Sequence, residues 1–282
     1  MICLDRHGKF QIMGIVNVTP DSFSDGGLYY DTDKALDKAL ELAFEGANII
    51  DVGAESTRPG ALGTSAKEQW QRLGPLLKGL QQKKLRLPIS VDTSHPQVML
   101  KALDAGASIL NSVQGVAPLK AMPEIAKHPN LRSYIAMHMH KKPKTMQSAP
   151  MTAQKAIQAI DKFFAKSHAF LREIGLTNEQ IILDPGVGFG KSLAANLMIM
   201  LNAPIWSQKY QLLLGVSRKS WIDNALCITD PKERDAPSKI TELFLGLSGV
   251  KFLRTHDVKT LARLQDTVTS QWYLTRQKES GQ

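Results

Sequence analysis

Short, nearly continuous apolar runs alternate with longer stretches of helical spacing along the chain. The runs are FQIMGIVNV (10–18), NIIDV (48–52), LPISVD (87–92), SILNSV (108–113), RSYIAMH (132–138), QIILDP (180–185), QLLLGV (211–216) and KFLRTH (251–256). Apolar runs of this length without polar alternation predict strands buried on both faces, as in a parallel sheet. Between them, Leu36, Ala39, Leu40 and Ala43 form one apolar helical stripe, and Leu261, Leu264, Val268 and Trp272 form another. Pro96 falls where a first helical turn accepts a proline. One long helix is expected over roughly 152–174, and a break at Asp230-Pro231 precedes a further helix after Pro237.

Repeated strand-helix units over this length predict an α/β chain folded as a (β/α)8 TIM barrel, for which about 250 residues is typical. It is expected to form a single domain over 1–282, with a loose tail from about Arg276. An open doubly wound sheet is the alternative. The strand ends favour the barrel. The runs finish at Asn17, Asp51, Asp92, Asn111, His138, Asp184, Ser217 and Arg254, so nearly every strand delivers a polar group at its C-terminal edge. In a barrel those groups converge on one mouth, whereas in an open sheet they spread along an edge.

Composition narrows the partner more than the fold. No run approaches the 18 or so apolar residues of a membrane helix, and MICLDRHGKF lacks a signal peptide's apolar core, so a cytoplasmic location without a membrane is expected. Cys3 and Cys227 are far apart and have no His companions, which argues against a zinc site or a disulfide framework. The net charge of +9 suits an anionic partner. Its clusters at Lys83-Lys84-Arg86 and Lys141-Lys142-Lys144 have no interleaved aromatics, so they read as solvated faces rather than a nucleic-acid surface. A phosphorylated small molecule needs only a few of these charges.

The strand ends divide into two sets. Asp92, Asn111 and Asp184 offer acceptors and a donor to a flat heterocycle rich in N–H groups. Asn17, Lys219, Arg254 and His256 suit a multiply charged anion, with Arg254 capable of a bidentate contact. The polar, Gly-rich segments NVTPDSFSDGG (17–27) and GAESTRPGA (53–61) follow the first two strands and read as lids over the mouth. GVGFGKS (186–192) looks like a phosphate loop, yet Pro185 occupies the position of the Walker glycine. The third glycine of a dinucleotide fingerprint falls on Lys191. Asp51 reads as a structural group inside the barrel top. His138 and His140 are not expected to be catalytic, and Met137 and Met139 read as packing residues.

Taken together, IMGIVNVTPDSFSDGG, DVGAESTRPGA, ISVDT, MHM with PKTMQ downstream, LDPGVGFGKS, LGVSRKS and LRTHDV resemble the dihydropteroate synthase family, pterin-binding enzymes of the folate pathway. The likeness runs from about residue 10 to about 260. It implies a (β/α)8 barrel, usually a homodimer, that joins p-aminobenzoate to 6-hydroxymethyl-7,8-dihydropterin diphosphate by an SN1-like substitution. It further implies a pterin site at Asp92, Asn111, Asp184, Phe189, Gly215 and Lys219, and a diphosphate site at Asn17, Arg254 and His256 with Mg2+ at Asn17. The aminobenzoate site would use Phe23, Thr57, Arg58, Pro59 and Ser220. The catalytic set implied is Asp92, Lys219, Arg254, His256 and Asp25, and sulfonamides would compete with the aminobenzoate. On this reading the 186–192 turn serves the pterin ring rather than phosphate, and Lys191 is a surface residue at a helix start.

The chain departs from the family pattern at Ser112, Ala54 and Lys141 and over RDAPSKI (234–240), where the family has a Gly-Ser pair. Two rivals on the same barrel remain at this stage: a pterin-dependent methyltransferase and a non-catalytic pterin-binding homologue.

Overall fold

A computed structural model describes residues 9–18, 28–55, 63–116, 120–140 and 148–279; the side chains of 28–31 and 271–279 lie outside the description. The element order is β1 (Gln11–Asn17), α1 (Leu28–Phe44), β2 (Ile49–Gly53), α2 (Ala66–Gln82), β3 (Ile89–Asp92), α3 (Pro96–Asp104), β4 (Ile109–Ser112), α4 (Met122–Ala126), β5 (Ser133–Met137) and α5 (Ala153–Glu173). It continues with β6 (Ile181–Asp184), α6 (Leu193–Ser207), β7 (Gln211–Gly215), α7 (Ser220–Leu226), α8 (Asp235–Leu247), β8 (Phe252–Thr255) and α9 (Val258–Glu279). The strands pair in parallel, in sequence order, and β8 closes on β1. The ring is therefore closed, and the open-sheet alternative falls.

Each strand buries both faces, which is why its apolar run shows no alternation. Inward-facing Met13, Ile49, Ile109, Ile135, Ile182, Leu213 and Phe252 form a plug inside the barrel. Outward-facing residues such as Ile50, Val91, Leu110, Leu183, Leu214 and Leu253 join the layer against the helices. Burying an aliphatic side chain contributes about 1.5–3 kcal/mol, so the plug fixes firmly the parity of the strands that contribute to it, all but β3. With side chains alternating, the inward residues one step above the plug are Asp51, Asn111, Met137, Asp184, Gly215 and Arg254.

The helices follow the expected pattern with shifts. In α1 the most buried residues are Ala35, Ala39 and Leu42. In α9 the buried stripe is Leu261, Gln265 and Thr269 rather than Leu261, Leu264 and Val268, because the Gln265 amide donates to the Phe10 carbonyl at 2.8 Å and so turns inward. The Trp272 side chain lies outside the described residues. α9 runs to Glu279, past the point where the sequence suggests a loose tail. Two serines start helices by capping: Ser65 forms a capping box with Glu68, and Ser192 Oγ accepts from the Ala195 N–H.

Candidate active site

At the C-terminal rim, Arg254 is the hub. Its Nε donates to Asp51 Oδ2 at 2.6 Å and its Nη2 to Asp92 Oδ2 at 3.4 Å, while Asn111 Nδ2 donates to the same Asp51 oxygen at 3.4 Å. β3 and β4 pair Asp92 with Asn111, and β7 and β8 pair Gly215 with Arg254, so the ring order itself delivers these groups to one mouth. Gly215 lies against Arg254, where a Cβ added to it would make ordinary contact at 3.9 Å with Arg254 Cδ. On the other flank, a Cβ added to Gly53 would lie 3.5 Å from the Asp92 Cβ and 3.7 Å from Asn17 Oδ1, which sets Asn17 beside Asp92. The sequence separates an acidic ring end from a basic phosphate end. In the folded chain Arg254 spans both, because Asp51 and Asp92 hold it. Asp51 is fully buried beneath the rim.

Burial sets the protonation of this rim. It pushes the Asp92 carboxyl up to about 7, with the Asp51 charge adding to the effect and Arg254 opposing it. Asp184 is also raised by burial, against the pull of Lys219, and burial lowers the Lys219 ammonium to about 8. Asp92 and Lys219, shifted toward neutrality by burial and sharing one mouth with Asp184, mark a functional site.

The turn after β6 is built around Asp184 and a buried lysine. Asp184 Oδ1 accepts the Gly186 N–H at 2.7 Å. Gly186 has φ +67, and a Cβ there would collide with the His138 carbonyl oxygen, so only glycine fits. Lys191 is not on the surface as the sequence suggests. Its Nζ is buried and donates to the carbonyls of His138 (3.1 Å), Gly186 (2.8 Å) and Phe189 (3.0 Å), tying the ends of β5 and β6 together. This turn presents Phe189 to the mouth, where Lys219 Nζ lies 4.6 Å from the ring centroid and donates to the Val187 carbonyl at 2.6 Å. His138 is buried edge-on against Phe163 at 5.4 Å, and burial holds it down at about 3, which fits a packing role; His140 and the half-buried Met139 sit beside it.

His256 sits behind Arg254 on the same rim. Its Nδ1 lies 3.1 Å from Ser217 Oγ. With the hydroxyl donating to Nδ1, the ring proton belongs on Nε2. Burial, then Arg254, pushes its basicity down to about 3, so His256 is neutral at pH 7 and acts as a donor rather than a cation. Asp257, the next residue, caps α9: its Oδ1 accepts the Thr260 N–H at 3.1 Å. Lys219 precedes the first residue of α7, Ser220, which is exposed.

Phe23, Asp25, Thr57, Arg58 and Pro59, with most of both lid segments, lie outside the described residues, as does Lys141. The flanks of the second segment are anchored by a group the sequence did not reveal: fully buried Gln69 of α2. Its Nε2 donates to Glu55 Oε2 at 2.9 Å and to the Thr64 carbonyl at 3.2 Å, and its Oε1 accepts from Thr93 at 2.7 Å. A glutamine within an amphipathic stripe has no sequence signature; only the neighbouring carboxylate explains it. Of the departures, Ala54 packs in the outer core and Ser112 points away from the mouth, beside Asn111 but on the opposite face of β4. Residues 234–240 lie at the start of α8.

A rim of paired acids, an amide and bases above a packed plug is the arrangement of a (β/α)8-barrel enzyme site at the C-terminal face of the barrel. The chain belongs to the pterin binding enzymes, whose family description, "Pterin binding enzyme", matches residues 13–256. The dihydropteroate synthase of Synechocystis sp. is 38% identical over 266 residues, covering 93% of this chain and 90% of that protein. That of Escherichia coli K12 is 39% identical over 249 residues, covering 88% and 86%. Among solved structures, the Xanthomonas albilineans dihydropteroate synthase with 4-aminobenzoic acid superposes with a TM-score of 0.84 at 33% identity, covering 93% of each chain. The Burkholderia cenocepacia enzyme complexed with 7,8-dihydropteroate gives 0.83 at 32% identity, covering 95% of this chain and 94% of that one.

Proposed function

We propose that the chain is a dihydropteroate synthase, a transferase of folate biosynthesis. It condenses p-aminobenzoate with 6-hydroxymethyl-7,8-dihydropterin diphosphate to give 7,8-dihydropteroate and diphosphate. The observation that carries this reading is the shared mouth of Asp92, Asn111, Asp184, Lys219 and Arg254 in a chain whose relatives are dihydropteroate synthases across most of their length.

The pterin ring is read as lying on Asp92, Asn111, Asp184, Gly215 and Lys219, under Phe189. Its diphosphate then meets Arg254, Asn17 and the Nε2–H of His256. The carbon–oxygen bond to diphosphate breaks and the electron pair leaves with the phosphate oxygen. The aminobenzoate nitrogen then bonds to the methylene carbon and loses one proton. Arg254 places positive charge where negative charge grows on the leaving group. In its anionic form Asp92 lies beside the cationic pterin, and Asp25 is assigned the same task. Phe23, Thr57, Arg58, Pro59 and Ser220 are assigned to the aminobenzoate, and the lids to excluding water from the cation.

Mg2+ belongs to this reading as a companion of the substrate. Among the described residues no group of three or more His, Cys, Asp or Glu is placed to hold a metal. Asn17 offers one neutral oxygen beside Asp92, a donor set that suits a Mg2+ held chiefly by phosphate oxygens and water. When bound there, the ion would neutralise charge on the departing diphosphate.

A homodimer fits an apolar face on neighbouring helices: Leu197, Met198, Leu201 and Ile205 of α6, Leu226 of α7, and Ile240 and Phe244 of α8 are all exposed. Sulfonamides are expected to compete with the aminobenzoate, as the sulfonamide-bound Yersinia pestis dihydropteroate synthase suggests. Among the described residues no helix is long and apolar enough to cross a membrane, and the cytoplasm is the compartment that fits this reading. Diphosphate release by the purified chain tests the function. Release that requires p-aminobenzoate supports it, and none with both substrates and Mg2+ present refutes it.

A further inference from the structure

Arg218 has left-handed backbone geometry, φ +57, although it carries a side chain. Such a residue stays there only where its surroundings over-determine it. Here its backbone N–H and carbonyl, and its guanidinium Nε and Nη2, are tied to the start of α8 and the residue before it. Its N–H donates to Ser238 Oγ at 3.0 Å, and its carbonyl accepts from Arg234 Nη1 at 3.2 Å. Its guanidinium forks onto Asp235, Nε to Oδ1 at 2.7 Å and Nη2 to Oδ2 at 2.8 Å. Arg234 is itself buried and held by the Ile228 and Thr229 carbonyls.

On either side of this turn stand two groups of the site. Ser217 holds His256, and Lys219 reaches the Val187 carbonyl above Phe189. A second tie binds the same helix to β8: Lys239 donates to the hydroxyl of Thr255, which lies between Arg254 and His256, and pairs with Glu242 at 2.6 Å. α8 thus holds the exits of β7 and β8 together from behind.

We propose that Asp235, acting through Arg218, is a positioning residue that fixes the left-handed turn so that Lys219 and His256 face the pterin diphosphate together. The proposal rests on the assignment of those two residues to that substrate.

Steady-state kinetics and thermal melting of Asp235→Ala, alone and combined with Arg218→Gly, test it. Misplacement of a substrate-binding group by a fraction of an ångström lowers turnover steeply, so Asp235→Ala should reduce kcat/KM for pterin diphosphate about tenfold. Ser220, assigned to the aminobenzoate, follows Lys219 on the same turn, so the KM for p-aminobenzoate should rise as well. Glycine takes the left-handed conformation without a clamp, so Arg218→Gly should keep kcat/KM within about threefold. In that background Asp235→Ala should add no further loss. Asp235→Glu, which restores the carboxylate, should recover part of the activity that Asp235→Ala loses. A lowered melting temperature with unchanged kcat/KM in Asp235→Ala would overturn the proposal. So would an equal loss with or without Arg218→Gly. Lys219→Ala separates the two readings. A wild-type KM for pterin diphosphate in that variant overturns the site assignment and the proposal with it. A defective Lys219→Ala beside an unaltered Asp235→Ala overturns the proposal alone.

Discussion

Asp92→Asn should make the unliganded protein more stable while weakening its affinity for the pterin. Burial and the neighbouring Asp51 raise the Asp92 carboxyl from 3.8 to about 7 even with Arg254 nearby. Below pH 3.8 the acid is protonated both folded and unfolded, and it adds no penalty. Between 3.8 and 7 the unfolded chain releases the proton while the native chain keeps it, so stability falls as pH rises; above about 7 the penalty is complete. At 1.36 kcal/mol per pH unit it reaches at most about 4 kcal/mol at pH 8 and under about 2 kcal/mol at pH 5. Asparagine stands in for the protonated acid and avoids this penalty. Arg254 keeps its 2.6 Å bond to Asp51 throughout. Urea denaturation of wild type and Asp92→Asn at pH 5 and pH 8 measures the gain, and calorimetric titration with pterin diphosphate measures the loss. Loss of a hydrogen bond to a charged group, about 1.5–3 kcal/mol, weakens binding by roughly ten- to a hundredfold. A variant less stable than wild type at pH 8, or one with unchanged pterin affinity, would refute the reasoning.

Gly186→Ala places a Cβ against the His138 carbonyl at φ +67, and it should lower stability by about 3 kcal/mol, or roughly 6–12 °C in Tm. A melt within a degree or two of wild type would contradict the packing of the β6 turn. Lys239→Met leaves Glu242 buried without its partner and should destabilise by about 3–5 kcal/mol in urea melts. The double variant Lys239→Met/Glu242→Leu should return to within about 1 kcal/mol of wild type, and a double variant as unstable as the single one would show the pair to be stabilising outright. Excess chelator should slow diphosphate release and added Mg2+ should restore it; an unchanged rate would remove Asn17 from any metal role.

The barrel was legible because its strands are buried on both faces and end on polar residues, and the closed ring turns that list of ends into one mouth. The ring order fixed by β1 to β8 brought Asp92, Asn111, Asp184 and Arg254 together, as the pattern of ends implied. Features set by three-dimensional neighbours were not legible. Lys191 follows a glycine-rich turn and precedes a helix, which in sequence reads as a solvated position. Its burial depends on carbonyls of Gly186 and Phe189 nearby and of His138 from another strand. Gln265 and Gln69 were invisible for the same reason, since a polar side chain within an amphipathic helix reveals nothing of the buried partner it meets. Arg254 was correctly placed on the rim, but its hold on two acids rests on the inward parity of β2, β3 and β8, which register decides.

The account stands most directly on where the pterin diphosphate binds. A crystal structure of the chain with that ligand should show the ring against Asp92, Asn111, Asp184 and Lys219, with its phosphates at Arg254 and His256. Density for the ligand away from this rim, or with phosphates at the 186–192 turn, would contradict it.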